Sequence, residues 1–288
     1  MYTINIIGCG KLGKTIAKLF TINSVGQILG IVNSTIESSA EAARYVGQGA
    51  AFASIKELPA ADIYFITTRD GYIKKVCEEL VAAKNLKKGA IIVHCSGALS
   101  SNELDIAKTL GCLIASVHPV RSFADPDMSV SAFKGTICAF EGDGEVLPSM
   151  KKLFESIGGN IFMIKGENKK QYHSAIVMAN NYLVTLHFHA TKNLISAGVD
   201  DKTAKILISS MMLDALNNLK NLEHKKALTG PVQRGDVETI RGHLASIEDK
   251  STRNIYATLG EGTLPLTSHA PELINELEAL FAEKDSIY

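Results

Sequence analysis

The sequence has no surplus of either charge. Thirty Lys and Arg balance thirty Asp and Glu over 288 residues, which removes the broad basic field that a nucleic acid or an anionic membrane surface would require. Charges interrupt every apolar run before the ~18 to 20 residues that a membrane-spanning helix needs, so no membrane partner is expected. The start lacks the basic cluster and small-residue cleavage site of a secretory signal. Met1 to Ile7 reads directly as a strand, and the expected location is the cytoplasm. The five cysteines, Cys9, Cys77, Cys95, Cys112 and Cys138, stand singly, without metal spacing or the density of a disulfide scaffold. They read as reduced core thiols, and no metal site is expected. Repeats, low-complexity tracts and long charge runs are missing as well. The chain is nevertheless longer than one hydrophobic core usually supports, so two domains are expected, with a small-molecule substrate.

The first half alternates strand and helix patterns. Strands are predicted at Thr3 to Ile7, Gln27 to Val32, Ile63 to Thr67, Ala90 to His94, Leu113 to Val117, Thr136 to Phe140 and Ile161 to Ile164. Helices fall between them, including Ser38 to Val46 with Ser38 and Glu41 as a capping box, Tyr72 to Ala83, Ser101 to Leu110 and Leu147 to Ile157. Alternation of this kind implies right-handed crossovers and a parallel sheet covered on both faces. After Lys165 the strand signal stops. Helices follow at Lys169 to Ala197, Lys202 to His224, Asp236 to Glu248, Ser251 to Leu259 and Glu272 to Glu283. The expected fold is α/β: a doubly wound Rossmann domain at 1–165, then an all-α domain at 166–288 for substrate and dimerisation.

Gly8-Cys9-Gly10-Lys11-Leu12-Gly13 follows the first strand and opens the first helix. A dinucleotide pyrophosphate needs backbone N–H groups at a helix N-terminus and glycine where the backbone approaches closely. In this strand-turn-helix setting the motif predicts dinucleotide binding. At the end of the second strand, where an acidic residue would hold the ribose of NAD, stand Asn33, Ser34 and Thr35. Hydroxyl and amide donors without a carboxylate favour NADP, with NAD as the second choice and Arg44 as a candidate phosphate partner. Thr67, at the end of the third predicted strand, joins the cofactor set.

Two segments lie at strand C-termini, where open parallel sheets bind ligands: His94-Cys95-Ser96-Gly97-Ala98, and Ser116 to Phe123 with its His118-Pro119 turn. A histidine fixed by a following proline at a strand exit is well placed to give or take a proton, or simply caps the strand. In the next helix Lys169, His173 and Asn180 are separated by four and seven residues and so share a face. His187 and His189 read as satisfied structural groups. Leu228-Thr229-Gly230-Pro231-Val232-Gln233-Arg234-Gly235-Asp236 joins two helices. Arg234 beside a helix N-terminus could bind a carboxylate, or pair with Asp236.

The N-terminal fingerprint, the HCSGA and HPVRSF stretches, the KKQYH to ANNY helix and LTGPVQRGD with His243 beyond it resemble a two-domain family over nearly the whole chain. In that family a Rossmann-like half precedes a helical domain of unknown function. More distantly the sequence is similar to prephenate dehydrogenase, pyrroline-5-carboxylate reductase and ketopantoate reductase. The first of these implies that Ser96 and His118 contact substrate. The ketopantoate reductases imply catalytic roles for Lys169 and Asn180, with Lys170 and Asn181 as rivals. His173, Thr229 and Arg234 complete the substrate set. The implied activity is NADPH-dependent reduction of a small 2-oxo acid, ketopantoate being the specific expectation, by a homodimer. Imine reduction, hydride exchange with a deazaflavin, and non-enzymatic NADP sensing are the competing readings.

Overall fold

The computed structural model describes residues 1–282. The chain forms two compact units, Met1–Val177 and a second beginning at Met178. The first holds eight strands: β1 (Tyr2–Ile7), β2 (Gly26–Val32), β3 (Ala50–Phe52), β4 (Ile63–Ile66), β5 (Ile91–His94), β6 (Leu113–Pro119), β7 (Ile137–Gly142) and β8 (Asn160–Met163). Their order is β3-β2-β1-β4-β5-β6-β7-β8, so the first six follow the doubly wound order of a Rossmann sheet. Helices α1 (Lys11–Ile22), α2 (Ile36–Val46), α3 (Ile73–Ala82), α4 (Pro126–Ser131) and α5 (Leu147–Ser156) belong to this unit, as does a 3₁₀ helix at Ser101–Leu110.

The strands cover both faces because alternate side chains point to opposite sides. Ile4, Ile6 and Phe65 enter one core with Phe20 of α1 and Phe154 of α5. Ile7, Tyr64 and Ile66 enter the other with Leu80 of α3 and Leu104 of the 3₁₀ helix. Three rings anchor the first core: Phe20 lies 5.6 Å from Phe65 and 6.0 Å from Phe154, centroid to centroid.

Three expectations need correction. The sheet is mixed: β7 pairs antiparallel with β6 and parallel with β8. A parallel return needs a crossover, usually a long helix; between β6 and β7 the chain has only the six-residue α4. The cap of α2 is Thr35, whose side chain accepts from Ser38 N. Glu41, expected to complete a capping box, instead meets Lys14 at 2.6 Å. Strand β3 carried no recognised signal, being three residues long.

From Lys169 the chain is helical: α6 (Lys169–Ser196), α7 (Asp201–Asn221), α8 (His224–Ala227), α9 (Pro231–Arg234), α10 (Val237–Ser246), α11 (Lys250–Thr263) and α12 (Pro271–Ala282). The helix expected to run to Glu283 is seen to Ala282; Glu283 lies outside the described residues. The first turns of α6, with Lys169, Tyr172 and His173, belong to the sheet unit. The second unit has its own core of Ile240, Ala257, Leu264, Leu277, Leu280 and Phe281. No helix among the described residues is long and apolar enough to cross a membrane.

Candidate functional site

Gly8 has φ +80°, and a Cβ there would meet Thr68, with its backbone N at 2.7 Å. At Gly13 a Cβ would strike Thr67 Oγ1 at 2.5 Å, because the Thr67 hydroxyl donates to Gly8 O at 2.9 Å and ties β4 to the turn. These two glycines are needed by the protein's own packing. Gly10 differs, since its nearest neighbour to a Cβ would be Gly8 O at 3.9 Å, leaving open the face that a pyrophosphate approaches.

The turn borders a cleft of about 760 Å³ whose lining includes Gly8, Gly10, Asn33, Ser34, Ser38, Thr67, Thr68 and Arg69. Thr68 Oγ1 is buried and has no hydrogen-bond partner among the described residues. An open glycine, an orphaned hydroxyl and a guanidinium at the rim suit a phosphorylated dinucleotide. The remaining expected cofactor residues are placed less directly. Cys9 is buried in the sheet core, and burial pushes its thiol up to about 12. Leu12 packs against that core, while Lys11 is exposed. Thr35 is occupied as the α2 cap, and Asn33 donates its amide to Ser38 O at 2.9 Å. Arg44 is exposed and does not line the cleft; Arg69, which the sequence did not single out, does.

A second cluster gathers at the C-terminal ends of β5 and β6. His94 is fully buried. Its Nδ1 accepts from Ser96 N at 3.1 Å and its Nε2 faces Ser100 O at 3.1 Å, so the ring is neutral with Nε2 protonated. Burial, and secondarily the charge of Lys169, push its pKa down to about 3. Ser96 Oγ accepts from Ala98 N and Leu99 N, which shapes the loop and leaves its own proton to donate.

Lys169 is 1% exposed. Its Nζ donates to Ser96 O at 2.7 Å and to Ser116 Oγ, and lies 3.6 Å from Glu141 Oε1. Ser116 passes the chain of bonds on to Ser96 O at 3.3 Å. Glu141 is held in turn by Ser101 N and Oγ, at 2.7 and 2.8 Å. Burial lowers the Lys169 pKa to about 8 against the opposing pull of Glu141. Lys170, its rival in sequence, is exposed.

His118 is half-buried on β6. Its Nδ1 lies 2.9 Å from the Tyr172 hydroxyl, and its ring meets that of His173 edge-on at 6.0 Å. Burial, then Lys169, then His173 lower its pKa to about 4. Gly97 fits beneath these rings: a Cβ there would lie 3.0 Å from His118 Nε2 and 2.5 Å from His173 Cδ2. The sequence pointed to His118, Ser96, Lys169 and His173, which the fold brings together. It gave no reason to pick Ser116 and Glu141, which reach Lys169 through strand register, or Tyr172, one position from His173.

Asn180, Thr229 and Arg234 lie in the second unit. Asn180 is exposed and donates to Asn181 Oδ1 at 3.3 Å; Arg234 pairs with Asp236 at 2.8 Å. His187 and His189 have partners in Ser209 and Thr252.

Two family models match the chain: "NADP oxidoreductase coenzyme F420-dependent" over residues 3–97 and a domain of unknown function, DUF2520, over 136–263. No curated protein matches it in sequence. Among solved structures, a Bacteroides fragilis protein described as an NADP oxidoreductase is 22% identical with a TM-score of 0.75, covering 92% of this chain and 98% of its own. A Thermotoga maritima protein is 28% identical with a TM-score of 0.69, covering 94% and 98%. The Plasmodium falciparum pyrroline carboxylate reductase, solved with NADP bound, is 12% identical with a TM-score of 0.59, covering 93% and 98%. Residues 3–97 are thus similar to the NADP oxidoreductase family described as coenzyme F420-dependent and residues 136–263 to DUF2520, on a Rossmann-plus-helical fold that the chain shares with these solved structures.

Proposed function

We propose that the chain is an NADPH-dependent reductase of a small 2-oxo acid, with 2-dehydropantoate as the specific substrate and pantothenate synthesis as the setting. The observation that carries this reading is His118 Nε2 above Gly97, which meets no hydrogen-bond partner among the described residues. It lies at the same carboxyl edge of the sheet as the glycine turn.

NADPH, when bound, supplies the hydride. The Gly8 to Gly13 backbone and the Thr68 hydroxyl would hold its pyrophosphate side, with Ser34, Ser38 and Arg69 suited to the 2′-phosphate. His118 Nε2 protonates the substrate oxygen, help that is typically worth ~10² to 10⁴ in rate. The Ser96 hydroxyl donates a second bond to that oxygen. Lys169 spends its bonds on Ser96 O, Ser116 and Glu141. It therefore orients the β5 and β6 loops, and proton donation falls to His118. The working form is a homodimer paired through the exposed apolar surface of α7.

Hydride exchange with a deazaflavin is the second reading, favoured by the description of the family that residues 3–97 match. The test is loss of reduced-nicotinamide absorbance with ketopantoate, compared with 2-oxoisovalerate, pyrroline-5-carboxylate and an oxidised deazaflavin. Saturable turnover with ketopantoate, faster with NADPH than NADH, is expected. Turnover of the deazaflavin alone would establish the second reading, and preference for the cyclic imine would replace the carbonyl by a C=N bond. Tight NADPH binding with no turnover of any would leave an NADP sensor.

A further inference from the structure

We propose that Tyr172 is the proton partner of His118: a positioning residue that fixes the imidazole tautomer and lets a neutral ring act as acid in reduction and as base in reverse. The proposal rests on the reading above, in which His118 faces the substrate oxygen.

The groups around His118 define the difficulty that this pairing removes. From α6 it meets Lys169, Tyr172 and His173; from β7, Glu141 stands behind Lys169 and is occupied by Ser101; Gly97 contributes only backbone. Cation and burial both oppose a second positive charge on the ring. With its pKa near 4, only about one His118 in 10³ is imidazolium at neutral pH. A neutral imidazole carries one N–H, and giving it up unassisted would leave an imidazolate.

Tyr172 supplies the missing proton. Its hydroxyl is 2.9 Å from Nδ1 and has no other hydrogen-bond partner among the described residues. The ring is held between His118, at 5.8 Å, and Phe162 of β8, at 6.2 Å. Burial pushes the phenol up to about 12, so at neutral pH it keeps its proton and donates it to Nδ1. That bond selects the Nε2–H tautomer, with the proton aimed at the space over Gly97.

Bound NADPH would supply the hydride to the carbonyl carbon as its π bond breaks, and the chain's own residues supply the proton. The oxygen takes the Nε2 proton while Nδ1 takes the phenolic proton of Tyr172, so the ring stays neutral and a phenolate forms. After product leaves, a solvent proton arrives at Nε2 and the Nδ1 proton returns to the phenolate. One hydride and one proton have been added to the substrate, and the pair is restored. In the oxidative direction the same shifts run backwards.

The experiment compares the full-length protein with Tyr172→Phe, first by ¹⁵N chemical shifts of labelled histidine in the absence of substrate. His118 is expected as Nε2–H in the native protein and as a tautomer mixture in the variant. An Nδ1–H native ring, or an unchanged tautomer in the variant, overturns the proposal. With substrate, kcat should fall about 10- to 100-fold at unchanged NADPH affinity. The native rate should be flat around neutral pH and bend in a proton inventory. The variant should speed up as pH falls toward the His118 pKa, with a linear inventory. A variant that merely loses packing would leave the pH profile and inventory as they were, which also overturns the proposal. Absence of turnover with every substrate, beside the expected tautomer change, would remove the reductase reading and leave the His118–Tyr172 pair standing.

Discussion

The 12-residue α1 in the sheet unit buries Gly13, Thr15, Ile16, Ala17, Leu19 and Phe20, whereas the 21-residue α7 in the helical unit buries only Ala204. Yet α7 is not a polar helix. Ile206, Leu207, Met211, Leu213, Leu216 and Leu219 are exposed on it, spread around its circumference. A helix that buries a single stripe is finished by packing on a sheet; one that is apolar all round needs cover on every side. The sheet unit thus closes on two cores and a buried ionic cluster, while α7 of the helical unit leaves apolar surface exposed among the described residues, the surface through which the proposed dimer would pair.

The largest test of that contrast is Met211→Glu with Leu213→Glu. The native protein should show a dimeric mass by light scattering and the double variant a monomeric one, with the Rossmann unit still folded. A native monomer would erase the distinction between the two units.

A sharper form compares two lysine pairs. Lys169 is buried with Glu141, whereas Lys205 of α7 is exposed beside Asp201 at 2.7 Å. Lys169→Met leaves Glu141 without its cation and should cost about 3 to 5 kcal/mol in denaturant unfolding. Lys205→Met should stay within about 0.5 kcal/mol. Lys169 also has a pH signature. Its pKa is lowered from 10.5 to about 8 in the folded protein, so between those values the unfolded chain holds a proton that the folded one has lost. Its contribution therefore rises with pH across that window, and the difference between native and Lys169→Met stability should shift accordingly. Equal effects of the two lysine replacements would break the comparison.

The smallest expected effect concerns two arginines. Arg69 lines the cleft and has no ion-pair partner among the described residues, while Arg234 is tied to Asp236. Arg69→Gln should weaken NADPH binding by about 10-fold and leave NADH unchanged; Arg234→Gln should alter neither. Equal loss for both nucleotides would move Arg69 away from the 2′-phosphate.

Much of the sheet unit was legible because its helices bury one face and so write a period into the sequence, while its central strands, buried on both faces, stand out as short apolar runs between turns. Gly8, Gly10 and Gly13 were readable for a related reason, since turn and close approach demand glycine wherever such a motif occurs. The direction of β7 was not legible, because strand periodicity is the same whichever way a strand runs. Glu141 was invisible for that reason too: it stands opposite Ser116 only through the antiparallel register. Arg44 looked as good a phosphate partner as Arg69 until the loop after β4 was seen to border the cleft.

The sequence by itself determined the order of the longer elements, the Rossmann-like half followed by a helical half and the glycine turn after β1, because propensity, periodicity and the glycine requirement act over a few neighbouring residues. Only the tertiary structure decided that Lys169 is interior and Lys170 exterior, that Tyr172 rather than a carboxylate holds His118, and that Gly97 is the floor beneath two histidines. Those facts depend on residues from separate strands and the first turns of α6 meeting within hydrogen-bond distance. Distances of that kind are set by packing, which no local pattern records.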